Sequence, residues 1–324
     1  MKHAKSQPPK SGDSKLGCHR AFKNSLSVFF LLCAFAAQTV ADPLLWRVQD
    51  PQTKAKIYLF GSIHFGTENL YPLPSYVIEA YSESDALAVE LDISSISALE
   101  AGRVLQAVGR LPNDEKIRTH LKAEAWQSLN RVCRALEMPI ESLEYFQPWL
   151  VAVQLTAAQI RRNGYSEGYG VDRHFLTLAK HPLAPKPVIQ LETFEQQMSL
   201  FGGLSDDQQS LFLEQTLAEL EAAPDMLRAV IDAWANGDEI ALETLIVDAF
   251  QAEDSKALYE RIFIDRNLRM ATTLNQALAE MQTLFVVVGA GHVIGPDGLK
   301  QYFVDRGLIV DLVESNGLIF DQNI

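Results

Sequence analysis

Two short segments near opposite ends of this 324-residue chain share one pattern, and that pattern constrains the fold more than any other feature. Residues 57–64 read IYLFGSIH and residues 284–292 read LFVVVGAGH, so each is an apolar, β-prone run that ends in Gly-x-x-His. Each run predicts a buried β-strand with a histidine, His64 or His292, at its carboxyl end. Ligands of open α/β sheets bind at the carboxyl ends of the strands. We therefore expect these two of the seven histidines to share one site.

Apolar runs separated by long helical stretches predict an α/β fold. Strands are expected at residues 44–48, 56–60, 86–91, 187–191, 284–288, 308–313 and 318–320. Near-continuous apolar strands that alternate with helices are typical of a largely parallel central sheet covered by helices. Residues 94–162 have helical periodicity and are too long for a simple crossover between neighbouring strands. They predict a sizeable helical insertion or lid.

The first 41 residues are predicted to be a signal peptide. Several lysines and arginines precede an unbroken apolar stretch at residues 26–37, which is shorter than the roughly 20 residues that a membrane span needs. Thr39, Val40 and Ala41 then offer a cleavage site before Asp42. We therefore expect export, to the periplasm or the medium, with no stable membrane span after cleavage. Residues 42–324 are expected to form a single domain.

The charge balance limits the class of partner. The chain carries 41 acidic side chains against 28 lysines and arginines, a formal net charge of −13. No basic patch that would neutralise phosphates is visible in the sequence, so a nucleic-acid partner is not expected. A peptide or small-molecule substrate is expected instead, and a carboxylate-rich site would attract cations. The sequence does not set the oligomeric state.

The third and fourth predicted strands end in acids. Glu90 and Glu192 come directly after these two apolar runs. If the four strands are parallel, His64, Glu90, Glu192 and His292 gather at one edge of the sheet. Two imidazoles and two carboxylates can bind a divalent ion and leave positions for water. A metal-bound water is acidified and can attack a carbonyl group, so this edge predicts a hydrolytic metal site.

Each of these residues also has a structural interpretation. Either glutamate could cap the helix that follows it, and His292 could brace the turn at residues 293–298 through a hydrogen bond. Arg266 and Asn267, on the predicted helix before the fifth strand, are expected on a solvated surface by default. Arg266 could instead bind a substrate carboxylate or an oxyanion. Asp172 is expected to belong to a hydrogen-bond network at the start of a helix. The zinc signature His-Glu-x-x-His is absent from the sequence.

Taken in order, the motifs of this chain resemble those of the TraB/GumN proteins, which are related to the TIKI metalloproteases. The resemblance covers nearly all of residues 42–324. It is carried by LWRV at 45–48, GSIHFG at 61–66, YPLP at 71–74, VELD at 89–92, GVDRHF at 170–175, LET at 191–193, DRN at 265–267 and VGAGH at 288–292.

The resemblance implies a fold related to the erythromycin-esterase-like and haem-binding ChaN-like proteins. It also implies a metal-dependent peptidase that prefers Mn²⁺ or Co²⁺, with His64, Glu90 and His292 as metal ligands. We therefore expect an exported metal-dependent hydrolase, peptidase- or esterase-like, in which Glu192 acts as acid or base and Arg266 binds the developing negative charge. The alternative is a non-catalytic protein that binds haem or another small ligand in the same cleft.

Overall fold

The computed structural model describes residues 41–222, 225–250, 256–313 and 319–321. The predicted signal peptide spans residues 1–41, and its first 40 residues lie outside the described ranges. Within those ranges, no helix is both long enough and apolar enough to cross a membrane.

A seven-stranded sheet with the strand order β4-β3-β5-β2-β1-β6-β7 forms the centre of the described chain. Its strands are β1 (Leu45–Gln49), β2 (Lys56–Ser62), β3 (Ala86–Val89), β4 (Val188–Gln190), β5 (Thr283–Gly289), β6 (Ile309–Val313) and β7 (Ile319–Asp321). Strands β4, β3, β5 and β2 are parallel, whereas β1, β6 and β7 pair antiparallel. The predicted α/β fold with a largely parallel sheet is confirmed, and each of the seven predicted strands is present.

The parallel half of the sheet is organised around β5. This strand is rich in valine, and all of its residues except Gly289 are buried, as expected of a strand covered on both faces. It pairs with β2 in a register that sets Ser62 opposite Gly289, and with β3 in a register that sets Val89 opposite Val287. The parallel strands therefore end at one edge, and the residues that follow them are brought close together.

Helices fill the connections between the strands. The α-helices are α1 (Ser75–Glu83), α2 (Ala98–Gly109), α3 (Ala123–Ala135), α4 (Pro148–Arg162), α5 (Val171–Ala179), α6 (Phe194–Gly202), α7 (Asp206–Ala222), α8 (Met226–Ala235), α9 (Glu239–Leu242), α10 (Lys256–Tyr259), α11 (Asp265–Glu280), α12 (Ala290–Val293) and α13 (Leu299–Val304). Two π-helical segments, Glu243–Val247 and Glu260–Ile264, follow α9 and α10. The connection from β3 to β4 and the connection from β4 to β5 are both long and helical.

The helices between β3 and β4 have a hydrophobic core of their own. Leu129, Leu143 and Leu155 are fully buried there together with Leu213 and Leu217 of α7. The main core is separate and surrounds the sheet. The predicted helical insertion at residues 94–162 is therefore helical as expected, but it shares its core with a helix that follows β4. Its role as a lid stays a prediction.

Candidate functional site

The carboxyl ends of the four parallel strands bring the five predicted site residues together. His64 follows β2, Glu90 follows β3, Glu192 follows β4, and His292 lies on α12 directly after β5. Arg266 joins them from the first turn of α11. Four of the five are buried, whereas the side chain of His64 is 62% exposed. The site is thus a cluster of buried ionisable groups with one imidazole open to solvent.

Gly289 leaves the space at the centre of this cluster. Its φ of −50° and ψ of 139° suit any residue, so backbone strain does not require a glycine here. A Cβ atom on Gly289 would, however, lie 3.2 Å from Glu90 Oε1, 3.7 Å from His64 Nε2 and 3.8 Å from His292 Cδ2. The three predicted metal ligands therefore converge on the space that the missing side chain leaves.

Asp172 holds the ring of His64. His64 Nδ1 lies 2.8 Å from Asp172 Oδ2, and Ser62 Oγ donates a 2.7 Å hydrogen bond to Asp172 Oδ1. Because a carboxylate only accepts, Nδ1 of His64 donates and its Nε2 is the atom that faces the site. Helix α5 can bring Asp172 this close because Val171 N donates to Ile63 O at 3.0 Å. The negative charge of Asp172 raises the pKa of His64 to about 9.

Asp172→Asn is expected to lower the pKa of His64 from about 9 toward its ordinary value of about 6.5, because the amide keeps an acceptor but removes the charge. The raised pKa stabilises the folded wild type fully below about pH 6.5, and this contribution is lost as the pH rises through about 9. The variant should lose this pH dependence. NMR titration of the His64 ring in metal-free protein measures the shift. Ser62→Ala, which leaves the charge in place, should keep the pKa near 9, and an unchanged pKa in Asp172→Asn would contradict the assignment.

Asn267 holds the ring of His292 in the same manner. His292 Nδ1 lies 2.7 Å from Asn267 Oδ1, and Asn267 Nδ2 donates to the carbonyl oxygen of Asp297 at 2.7 Å. Because that carbonyl only accepts, it fixes the orientation of the amide, and His292 Nδ1 must be the donor. Burial lowers the pKa of His292 to about 4, so its Nε2 carries a free lone pair at neutral pH. The Nε2 atom of His292 lies 4.0 Å from Glu90 Oε1.

The guanidinium group of Arg266 joins the two glutamates. Its Nη2 donates to Glu90 Oε2 at 2.5 Å and to Glu192 Oε2 at 2.7 Å, and its Nε lies 3.0 Å from both oxygens of Glu192. Its Nη1 donates to the carbonyl oxygen of Ile262 at 3.4 Å. Gln197, in α6, adds long hydrogen bonds to both carboxylates. Every guanidinium nitrogen therefore has an acceptor within the protein.

Glu90 is held as an anion with one oxygen directed to the centre of the site. Burial opposes its ionisation, but three positive charges outweigh that cost and lower the pKa of Glu90 to about 2: His292, which is charged only below about pH 4, Arg266 and His64. The backbone N–H of Gly289 donates to Oε1 at 2.5 Å. Oε2 is occupied by Arg266, so Oε1 is the oxygen that remains available to a ligand.

The donor set suits a divalent cation in its chemistry. Imidazole nitrogen and carboxylate oxygen are common ligands of Mn²⁺, Co²⁺ and Zn²⁺, and partners such as Asp172 and Asn267 are the outer contacts that orient metal-bound histidines. Among the residues that the structure describes, however, no three His, Cys, Asp or Glu side chains already have the spacing to hold an ion. The donors are therefore of the right type but lie farther apart than in a preformed metal site.

Sequence reasoning missed two of the contacts that orient the site. Asp172 was expected to serve only the start of a helix, and Asn267 was expected on a solvated helix surface, but each holds a histidine. Both belong to the motifs GVDRHF and DRN, which were the available signals. Gln197 carried no signal in the sequence.

One Gly-x-Ser-x-Gly match, at residues 164–168, lies between α4 and α5 rather than after a strand. Ser166 Oγ accepts from Gly168 N at 3.0 Å and caps the short 3₁₀ turn Glu167–Tyr169. The nucleophile of an α/β-hydrolase lies on a sharp turn from strand to helix. Ser166 is therefore a capping residue in this fold.

Comparison with known proteins gives a family match and relatives without an assigned function. The model of the TraB/PrgY/gumN family matches residues 44–311. The uncharacterized protein YbaP of Escherichia coli K12 is 31% identical over 246 residues, which cover 75% of this chain and 86% of that protein, and YbaP of Shigella flexneri gives the same values. An uncharacterized protein of Treponema pallidum (strain Nichols) is 20% identical over 281 residues, which cover 83% of this chain and 82% of that protein. No solved structure matches the chain significantly.

Proposed function

The chain belongs to the TraB/PrgY/gumN family, and on that premise we propose that it is an exported metal-dependent hydrolase that cleaves a peptide or ester bond. His64, Glu90 and His292 are the proposed ligands of a divalent ion, with Mn²⁺ and Co²⁺ as the first candidates. The expected relation to the TIKI metalloproteases motivates the choice of metals. Neither the substrate nor the bond is specified by the family.

One observation carries the proposal: three side chains that can act as metal ligands border the same space. His64 Nε2 and Glu90 Oε1 lie 3.7 and 3.2 Å from the position that a Cβ of Gly289 would take, and the ring of His292 lies 3.8 Å from it. A divalent ion bound there would replace the proton that the raised pKa of His64 leaves on Nε2 at neutral pH, and metal binding would release that proton. A buried cluster of this kind is a common site for a bound ion or for acid–base chemistry.

When bound, the ion would polarise a carbonyl group and acidify a water molecule. The residues of the chain have separate tasks. His64 and His292 present Nε2 because Asp172 and Asn267 take their Nδ1 atoms. Glu90 presents Oε1 because Arg266 takes its other oxygen. The outer contacts therefore leave each ligand with one donor atom directed at the site.

The contacts of Glu192 and Arg266 favour positioning roles over the acid–base and oxyanion-binding roles that were predicted. Arg266 is buried and all three of its nitrogens are engaged, so it has little capacity left to bind a substrate oxygen. Glu192 contributes both oxygens to the same guanidinium group. We propose that this pair fixes the rotamer and the charge of Glu90. The half-exposed Arg269, 3.8 Å from Glu192 Oε1, is the nearer candidate for contact with a substrate.

A second candidate is a hydrolase of the same site without a metal. It is favoured by the raised pKa of His64, which keeps the exposed imidazole protonated at neutral pH beside the Glu90 carboxylate. An imidazolium in this position can donate a proton to a leaving group as a general acid. The alternative of haem or small-ligand binding without turnover stays a prediction, and the experiment that follows also addresses it.

His64→Ala is expected to weaken binding of Mn²⁺ or Co²⁺ by about 100-fold or more while the protein stays folded, because the side chain is a proposed ligand but is mostly exposed. Isothermal titration calorimetry on metal-stripped protein measures the affinity, and panels of fluorogenic peptides and esters measure turnover. His181→Ala, an exposed histidine beyond the other end of α5, is the matched control and should bind like the wild type.

Three other outcomes would each change the assignment. Equal metal affinity in His64→Ala and the wild type would contradict the ligand set. Turnover that survives chelation but is lost in His64→Ala would select the metal-free mechanism. Metal binding or a haem absorbance shift without turnover of any substrate would select the binding protein.

A further inference from the structure

A groove of about 640 Å³ lies beside the site, on the far side of the segment that carries His64. It runs between the loop before α1 and the exposed face of α5. Its walls are mostly apolar and include Pro72, Leu73 and Ile78. Tyr71 closes one side, with its ring centroid 4.7 Å from that of His174 and the two rings tilted by 37°. The groove is large enough for one or two amino-acid residues.

The same backbone that holds His64 forms the wall of the groove. Gly170 packs so closely on the carbonyl oxygen of His64 that a Cβ there would lie 2.4 Å from it. Tyr71 Oη donates to the carbonyl oxygen of Tyr169 at 3.0 Å and ties the two walls together. Asp172 faces His64, and the next residue of α5, Arg173, faces the groove. The first turn of α5 therefore contributes both to the groove and to the contact that holds His64.

Arg173 is a cation without a fixed partner. Its guanidinium group makes no hydrogen bond or ion pair to any side chain in the part of the chain that the structure describes. The adjacent acid, Asp172, is bound to Ser62 and His64. The charge of Arg173 helps to lower the pKa of Glu167, but that carboxylate is hydrogen-bonded to Nε and Nη2 of Arg161. An exposed arginine that lines an apolar groove and has no ion-pair partner among the described residues can bind a carboxylate.

We propose that this groove binds the carboxyl-terminal end of a short peptide, with Arg173 on the free carboxylate and the last, apolar side chain against Pro72, Leu73 and Ile78. The inference rests on the proposed hydrolase function and names its substrate class, which is peptides with a free C-terminal carboxylate and an apolar final residue. The bound peptide would then extend from the groove past His64, so that cleavage falls near the C-terminus of the peptide. The substrate carboxylate supplies the hydrogen-bonded ion-pair partner that Arg173 lacks among the described residues.

Substitutions at Glu68 and Arg173 are expected to change the affinity for a carboxylate ligand in opposite directions. Glu68 is an exposed acid on the rim of the groove, and it repels a carboxylate ligand. Glu68→Gln should therefore strengthen binding of a free acid by about two- to threefold at low ionic strength, whereas Arg173→Gln should weaken it by roughly tenfold. The opposite signs are not expected of a general loss of stability, and an arginine variant outside the groove controls for a general effect of surface charge.

The probes are N-acetyl-leucyl-phenylalanine and its C-terminal amide, titrated into the metal-free full chain by calorimetry. The free acid should bind at least tenfold more tightly than the amide, and Arg173→Gln should remove that difference. Arg134→Gln, an exposed arginine of α3, is the matched control and should preserve it. Thr177→Trp, a substitution at an exposed groove residue, should block both probes while circular dichroism shows an unchanged fold.

Equal affinity for acid and amide, an unaltered affinity in Arg173→Gln, or no binding of either probe at millimolar concentration would overturn the proposal. These outcomes are independent of the metal experiment. Loss of metal binding in His64→Ala leaves the acid–amide difference intact if the groove binds the peptide. Conversely, a groove that ignores the carboxylate leaves the metal titration unchanged.

Discussion

Arg266→Met is expected to lower the free energy of unfolding by about 3–5 kcal/mol, because it leaves two buried carboxylates without their cation. Glu90 and Glu192 are both buried, and Arg266 donates to each of them. The melting temperature should fall by about 5–15 °C. The loss should be larger at pH 8 than at pH 5, since an unpaired buried carboxylate takes up a proton in the folded state and stability then falls as the pH rises. Thermal denaturation at the two pH values measures both effects.

Two further variants separate the buried network from ordinary surface pairing. In the triple variant Arg266→Met, Glu90→Gln, Glu192→Gln the charges are removed together, so most of the lost stability should return. Arg131→Met breaks the exposed pair with Glu221 and should leave the melting temperature nearly unchanged. If Arg266→Met were no more destabilising than Arg131→Met, the guanidinium group would not be the element that holds the two glutamates.

Gly289→Ala is expected to reduce metal binding and turnover by about 100-fold or more with little change in fold. The backbone at Gly289 suits alanine, but the new Cβ would occupy the space where His64, Glu90 and His292 converge and would lie 3.2 Å from Glu90 Oε1. A displacement of about 1 Å among catalytic groups commonly costs two orders of magnitude in rate. Metal titration and the fluorogenic substrate panel measure the loss.

Gly102→Ala is the control for this substitution. Gly102 lies within α2, where a Cβ would meet nothing within 4 Å, so alanine should stabilise the helix by about 0.5–1 kcal/mol and leave the site unchanged. Full metal affinity in Gly289→Ala would show that the space beside Gly289 is not the binding position. The outer, exposed side of His64 would then be the candidate position for a ligand.

The sequence predicted the sheet well because its parallel strands are continuous apolar runs. Strand β5 has no polar interruption between Leu284 and Val288, so its burial could be inferred before its neighbours were known. The antiparallel strands β6 and β7 also lie where predicted. Their order at the edge of the sheet depends on β1, which is joined to β2 by a short turn and pairs with β6 on its other side. Such long-range pairing has no local signal.

The site was predictable to the level of its residues but not of their contacts. Strand ends fix where a side chain starts, so His64, Glu90, Glu192 and His292 could be grouped once parallel strands were assumed. The partner of each group depends on how helices pack over that edge. Asp172 reaches His64 because α5 docks on the carbonyl oxygen of Ile63, a contact that only the folded chain contains. The sharing of Arg266 between two glutamates likewise follows from packing rather than from spacing.

The position of β5 in the sheet decides when this protein acquires its site. Strand β5 lies between β3 and β2, so before residue 283 is synthesised those two strands have no neighbour in common. The helical core is also incomplete until α7 supplies Leu213 and Leu217. The parallel half of the sheet is therefore complete only when β5, near the C-terminal end of the sequence, has been synthesised. The same segment supplies Gly289 and His292. Nascent chains that end before β5 would contain two sheet fragments with open edges and would lack the assembled candidate site.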